Sequence, residues 1–423
     1  MLKFAVEHFL LKLPKRRRSD RRSPRRHRWS IGQGIAGSLL VSIIGLASGC
    51  GGLSKIDEPQ YGKPVTKLEL VRTLAARRTD QPVSFAEQNL SDIEARRFNF
   101  QGAIFSKAYL VRADFSQARL VLAKLDRANL ADAILRDADL RRADLRGANL
   151  EGVDFSGANL SGANLGGANL ENAVFDRAIV QDIKLTGANL KGVKFHNLYL
   201  GGTNLQGLDL RDVSFKGSDM SNVILRAAIL DRVDLSGINL SQADLSEAIL
   251  NYTNLKGANL VEAYMQDVQG EGINLAEADL RGANLFHARI PESNLEKAQL
   301  RSANLSEANL IGAKMREANL FYATVVKSEF SWADLRDSIM GRGDYTKTNF
   351  TDARMDGASL IQSNMSDARL VATDFRHANL SGVDFKGADI RGANFRDAIM
   401  DGARNLNMAK GLKQALYLDE AVF

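Results

Sequence analysis

Cysteine occurs once in the 423-residue chain, at Cys50, which excludes an intramolecular disulfide and any metal cluster built from several cysteines. An excess of basic charge is missing where it would matter for nucleic acid. The formal net charge is +6, but of 56 basic residues eleven precede residue 50, leaving 45, and of 50 acids only Glu7 and Asp20 do, leaving 48. The near-balance beyond residue 50 carries no basic footprint for DNA or RNA. Charge of either sign is absent between Trp29 and Ser54, a stretch centred on the apolar run "LLVSIIGLASGC" from Leu39 to Cys50.

A basic segment, an apolar run and then small residues are the order of a secretory signal. The end of the run, Leu46-Ala47-Ser48-Gly49-Cys50, resembles the bacterial lipobox, which implies cleavage before Cys50 and attachment of lipid to its thiol. The alternative is an uncleaved membrane helix, since the uncharged stretch is long enough to span a bilayer. Both readings keep the arginines between Arg16 and Arg28 on the cytoplasmic side and send the rest of the chain across. The expected location is therefore membrane-anchored and extracytoplasmic, in a bacterial periplasm or, for a cyanobacterial protein, the thylakoid lumen. Residues 50–65, with Gly51, Gly52, Pro59 and Pro64, read as a tether.

Interruptions are also lacking. Every fifth residue from Phe100 to Met400 is bulky and apolar, with Gly270 the single exception, and no insertion shifts the phase. Two residues before each of these the usual occupant is Ala, as at Ala143, Ala158 and Ala308, and between the two stands Asn or Asp, as at Asp144 and Asn159. A period of five smears around a helix and alternates faces on a strand. The chain keeps its leucines inside only by bending once per repeat, and the Asn/Asp position is expected to support that bend. The result is a solenoid with backbones stacked at about 4.8 Å.

The segments "ANLSGANLGGANLEN" (158–172) and "ADLRGANLFHARI" (278–290) resemble the pentapeptide repeat family, with its pattern A(D/N)LXX. The resemblance implies an all-β solenoid, a right-handed quadrilateral β-helix with four repeats per coil, over residues 85–405. "TKLELVRTLAARR" (66–78) reads as a capping helix within residues 66–84. Thr66 and Glu69 stand at capping-box spacing, and Leu68, Leu70, Val71 and Leu74 supply an apolar face. Residues 406–423 read as a second cap, with Met408, Leu412, Ala415 and Leu416 at helical spacing.

Catalysis requires convergent groups. The inward positions are apolar or small, and His196, His287 and His377, the only histidines of the array, fall on distant coils. The chain is therefore expected to be noncatalytic, without a metal or cofactor. Arg136-Asp137, Asp176-Arg177, Glu296-Lys297, Arg316-Glu317, Arg336-Asp337 and Arg396-Asp397 recur at multiples of twenty and share one corner, read as ion pairs on a solvated face. In "ADLRRADLRGANLEG" (138–152), Arg141, Arg142, Arg146, Gly147, Glu151 and Gly152 are left to address a partner. Another corner carries Tyr252, Pro291, Ile311, Trp332 and Val371, of which Tyr252, Ile311, Trp332 and Val371 form the candidate partner site. Gly270 predicts a kink, bulge or gap. Val193, Leu198, Leu208, Val213, Val223, Val233 and Ile238, in the usual Ala position, predict a widened stretch of core.

The expected function is a noncatalytic membrane-anchored scaffold that binds a protein through its solenoid, with the membrane held by a Cys50 lipid or by the 29–54 segment. The alternative rests on family members that resemble duplex DNA and bind DNA gyrase. It would make this chain a DNA-mimicking regulator, a role that calls for a strongly acidic surface in the cytoplasm.

Overall fold

The computed structural model describes residues 62–76 and 81–423. The basic segment, the apolar run, Cys50 and residues 50–61 of the tether lie outside the described residues. The described residues belong to one compact unit.

Each pentad forms one side of a coil, and nearly every side pairs in parallel with the side twenty residues on, as Asp144 does with Asn164. Leu145 N–H donates to the Asn164 carbonyl (2.8 Å), Asn164 N–H returns to Ala143 (2.9 Å), and Gly147 N–H reaches Gly166 (3.0 Å). Within the pentad, Ala143 N–H closes the turn on Leu140 (2.9 Å). In such coils the backbone polar groups find partners in the adjoining coils or in their own turn, which is the requirement for burying so repetitive a chain. Four sides complete a coil, and the solenoid is a right-handed quadrilateral β-helix.

The Asn/Asp residue does not itself make the bend. It is extended and bridged, and its side-chain oxygen accepts the N–H of the first turn residue: Ser161 on Asn159 (3.0 Å), Arg146 on Asp144 (3.2 Å). The reversal falls on the second turn residue, which takes the left-handed conformation whether it is Gly147 (φ 62°), Asp137 (φ 55°) or Arg142 (φ 58°). For a non-glycine residue that conformation costs roughly 1–2 kcal/mol, which the surrounding ladder must offset.

Inside, the fifth residues and the alanines two positions before them are buried. Phenylalanines stack in columns; Phe155, Phe175, Phe195 and Phe215 follow one another at 4.9, 5.0 and 5.9 Å between ring centres. Where a hydroxyl replaces an alanine methyl it can bond a carbonyl of the preceding coil, although the buried Ser338 and Ser363 hydroxyls make no hydrogen bond. Thr253 donates to the Leu230 carbonyl and Thr373 to that of Phe350, each at 2.8 Å.

The N-terminal cap is a helix, α1 (Lys67–Ala75), opened by the capping box: Thr66 N–H donates to Glu69 (2.7 Å) and Glu69 N–H to the Thr66 hydroxyl (3.3 Å). Its apolar face is narrower than the sequence suggests. Leu70 is buried and Leu74 half-buried against the core, whereas Leu68 and Val71 face solvent. The helix is short and fastened mainly by its start, through Val65 N–H on the Asn89 carbonyl (2.8 Å) and Lys67 on Glu94 (3.1 Å). The C-terminal cap is helical in a different way. Three 3₁₀ turns, Leu406–Met408, Leu412–Gln414 and Leu418–Glu420, stand at a period of six within a last set of sides. Pairing offsets grow by one residue per side, Asp384 with Arg404, Asp389 with Lys410, Asn394 with Leu416 and Ile399 with Val422.

Gly270 leaves neither gap nor phase slip. A methyl there would meet Ile273 Cδ1 at 2.7 Å, so the isoleucine occupies the space of the missing leucine. The local turn bond is exchanged: Ile273 N–H donates to the Ser293 hydroxyl (3.2 Å).

Candidate interaction surface

The solenoid turns the residues at its corners outward, so any recognition chemistry resides there. The first constituent is an Asp-Leu-Arg staple. Asp144 accepts both Nε (2.8 Å) and Nη2 (2.6 Å) of Arg146, and Asp139 holds Arg141 in the same way (2.8 and 2.7 Å). The same arrangement recurs at Asp209–Arg211, Asp279–Arg281, Asp334–Arg336, Asp374–Arg376 and Asp389–Arg391. Hydrogen bonding from the guanidinium lowers the carboxyl pKa of Asp139, Asp144 and Asp334, keeping them ionised. Arg141 and Arg146 are therefore structural in part, and not simply left over for a partner. The reason is geometric: the Asp side chain and the first turn residue leave the backbone on the same outer surface.

The charged corner exists, but its pairing is mostly different from that of sequence neighbours. Asp176–Arg177 (3.2 Å) and Arg316–Glu317 (3.7 Å) are paired as expected. Elsewhere the partners come from the strand or from another coil: Arg136 with Asp154, Lys297 with Glu317, Arg336 with Asp334, and Arg396 with Glu420. Successive turn residues diverge, whereas those twenty apart are stacked. Along this corner Arg136, Asp137, Ser156, Gly157, Asp176 and Arg177 line an open groove of about 520 Å³.

The four candidate partner residues share a corner but do not form one patch. Ile311 and Trp332 stand on adjacent coils. Tyr252 is three coils from Ile311 and Val371 two from Trp332, since one coil is twenty residues. Ile311 and Val371 are half-buried. Tyr252 is 52% exposed yet engaged, with the Arg232 guanidinium 5.6 Å from its ring centre and its phenol pKa raised by hydrogen bonding to Glu271. Trp332 is 63% exposed, in the left-handed turn position (φ 59°).

A second aromatic corner escaped the sequence reading. Arg301 lies 5.7 Å from the Phe321 ring centre; Arg342 lies 5.8 Å from that of Tyr322, donates to its hydroxyl (2.8 Å) and reaches Gln362 (3.1 Å). The signal was the twenty-residue spacing of Tyr322, Arg342 and Gln362. The three histidines are not isolated: His287 meets Asp267 (2.6 Å), His377 meets Asp356 (2.8 Å) and His196 meets Ser214 (2.8 Å). Among the described residues no group of three His, Cys, Asp or Glu is placed to hold a metal ion.

The model of the family described as pentapeptide repeats matches residues 84–125, 123–162, 154–192, 188–226, 228–267, 271–298, 283–320, 328–367 and 368–404. The chain belongs to the pentapeptide repeat family. Solved pentapeptide repeat proteins are similar to it in part. Rfr23 from the cyanobacterium Cyanothece 51142 is 26% identical over 28% of this chain and 94% of its own, with a TM-score of 0.26. HetL from Nostoc sp. strain PCC 7120, involved in heterocyst differentiation regulation, is 23% identical over 79% and 97%, with a TM-score of 0.16. A pentapeptide repeat protein from the Arabidopsis thaliana thylakoid lumen is 38% identical over 25% and 69%, with a TM-score of 0.20. No curated protein matches the chain.

Proposed function

We propose that this pentapeptide repeat chain is a noncatalytic scaffold, anchored at the outer side of a membrane through its N-terminal segment, whose Ile311–Trp332 corner docks a protein partner. The observation that carries the docking site is Trp332. Folding gains little from a tryptophan ring 63% exposed at a position where other turns place glycine, such as Gly312 one coil earlier. A large aromatic in that setting is the side chain that interface centres favour. The anchoring half rests on the charge-free stretch that ends at the single cysteine, and it stands or falls separately.

Two measurements test the two halves. Labelled fatty acid is expected in the wild type and absent from Cys50→Ala; an unlabelled wild type that keeps its first 49 residues would replace lipid with a membrane helix. Cross-linking in the native membrane is expected to recover a partner whose yield falls in Trp332→Ala and Ile311→Ser. Equal yields would remove this corner from the interface.

A further inference from the structure

The coil-to-coil ladder lapses at one interface. Up to that point it is regular, with Leu160 N–H on Ile179 (2.7 Å) and Gly162 N–H on Gln181 (2.8 Å). From Val180 to Gly192, among the described residues, no backbone N–H donates to the following coil. Tyr199, Asn204 and Asp209 donate none back, and the parallel bridges 179–199, 184–204 and 189–209 are absent. The coil before the lapse keeps its own turns, with Ile183 N–H on Val180 (3.2 Å), Ala188 N–H on Leu185 (2.9 Å) and Val193 N–H on Leu190 (3.1 Å). The coil after it keeps those at Thr203, Leu208 and Val213, while Leu198 N–H donates instead to the Ser218 hydroxyl (2.9 Å). Three sides are open between the two coils.

The fourth side stays bonded. Phe175 N–H reaches Lys194 (3.0 Å), Lys194 N–H returns to Ala173 (3.1 Å) and Arg177 N–H meets His196 (3.1 Å). Behind it the phenylalanine column is continuous, with Phe175 and Phe195 rings 5.0 Å apart.

The position of the lapse has a steric cause. Preceding coils hold alanine in the narrow inner slot, including Ala158, Ala168, Ala178 and Ala188. In the next coil Leu198 stacks on Ala178, Thr203 on Ile183 and Leu208 on Ala188. A slot sized for a methyl receives an isobutyl group on two sides. Two coils of unequal cross-section cannot hold hydrogen-bonding distance on all four sides at once. Leu198 and Leu208 are nonetheless buried, so the widened coil is filled and not hollow. A smaller lapse follows where Val213 faces Val233, with Ser214 and Asp234 unbridged.

We infer that this interface is a built-in hinge: two stiff stacks of coils joined along the Phe175–Phe195 side and held apart on the other three by Leu198 and Leu208. Opening and closing about that side changes the angle between surface features on the two stacks while the turns within each coil persist. The hinge is independent of the membrane anchor and of the Trp332 corner.

Amide hydrogen exchange on the full chain tests it. The amides of Val180, Asp182, Leu185, Gly187, Leu190 and Gly192 are expected to exchange on the order of 100-fold faster than those of Leu140, Arg142, Leu145, Gly147, Leu150 and Gly152, because they lack the ladder bonds that protect the latter. Equal protection of the two segments overturns the hinge. The double variant Leu198→Ala/Leu208→Ala, which restores the usual inner slot, is expected to slow exchange in the 180–192 segment toward that of 140–152. An unchanged rate in a variant with native circular dichroism overturns the role given to the leucines. The wild-type comparison stands on its own if the variant does not fold.

Discussion

Tyr345 lies across Gly343. The phenol is fully buried, donates to the Met340 carbonyl at 3.0 Å, and fills the space in which a methyl on residue 343 would stand 2.6 Å from its ring. The pair replaces the usual Ala and Leu of a pentad by moving volume from one inner slot to the other. Gly343→Ala is expected to destabilise by about 1–3 kcal/mol, the range for overpacking a tight core. Gly343→Ala/Tyr345→Leu, which restores the ordinary pentad, is expected to recover most of that loss. Thermal unfolding of the two variants checks this, and additive losses would refute the volume exchange.

Gly270 and Ile273 make the converse exchange, a glycine in the large slot and a branched residue in the small one. Gly270→Leu alone is expected to clash with Ile273 and lower the unfolding midpoint, while Gly270→Leu/Ile273→Ala is expected to restore it. The second variant also re-forms the normal turn bond from residue 273 to residue 270, which is visible as slower exchange of that one amide.

The Asp–Arg staples make stability depend on acid. The carboxyl pKa values of Asp139, Asp144 and Asp334 are depressed in the folded chain, first by hydrogen bonds from Arg141, Arg146 and Arg336. A depressed folded value gives stability that is present above the unfolded value of about 4 and lost as the pH falls through the folded value. The unfolding midpoint is expected to be flat from pH 7 to about pH 5 and to fall below pH 4. Asp144→Asn keeps an acceptor for the Arg146 N–H but loses the charge. It is expected to reduce the acid-dependent fall only slightly, because the arginine partner is exposed and the pair is screened by solvent. Midpoints against pH for the wild type, Asp144→Asn and a triple Asn variant at 139, 144 and 334 test the sum.

Trp332→Gly separates folding from recognition. The left-handed turn favours glycine, so the variant is expected to be as stable as the wild type or more so, by up to about 1 kcal/mol. The yield of the cross-linked partner is expected to fall. A destabilised variant would show that the indole packs on the solenoid and serves folding.

Much of this was legible because pattern and structure share one period. The phase of the leucines and alanines alone placed the core from Phe100 to Met400, and Thr66 with Glu69 announced the start of α1. What was not legible depended on directions in space. The spacing of Leu68, Leu70, Val71 and Leu74 suits a buried face, but only the way the helix lies on the first coil decides that Leu70 and Leu74 are covered and Leu68 and Val71 are not. The Asn/Asp position was legible as a support for the bend, and its side chain does bond the next turn residue; that the position itself is extended and the reversal falls on the second turn residue was not. At residues 406–423 the apolar spacing was read as helical, while Leu406, Leu412 and Leu418 carry a period of six that marks an enlarged coil side. The candidate site was legible as a list of residues on one corner, but it dissolved into one adjacent pair and two distant members. Exposure and neighbour contacts are set by the coils above and below.

The offset of twenty between bridged residues turns distance along the sequence into position on the surface. Excising twenty residues from the array would draw everything downstream nearer by one coil, about 4.8 Å, without changing the direction in which any corner points. Excising five would leave the same inner pattern intact but rotate every later feature by a quarter turn, carrying Trp332 to a different side from the residues upstream of the cut. Length and azimuth on this molecule are thus set by two separate integers.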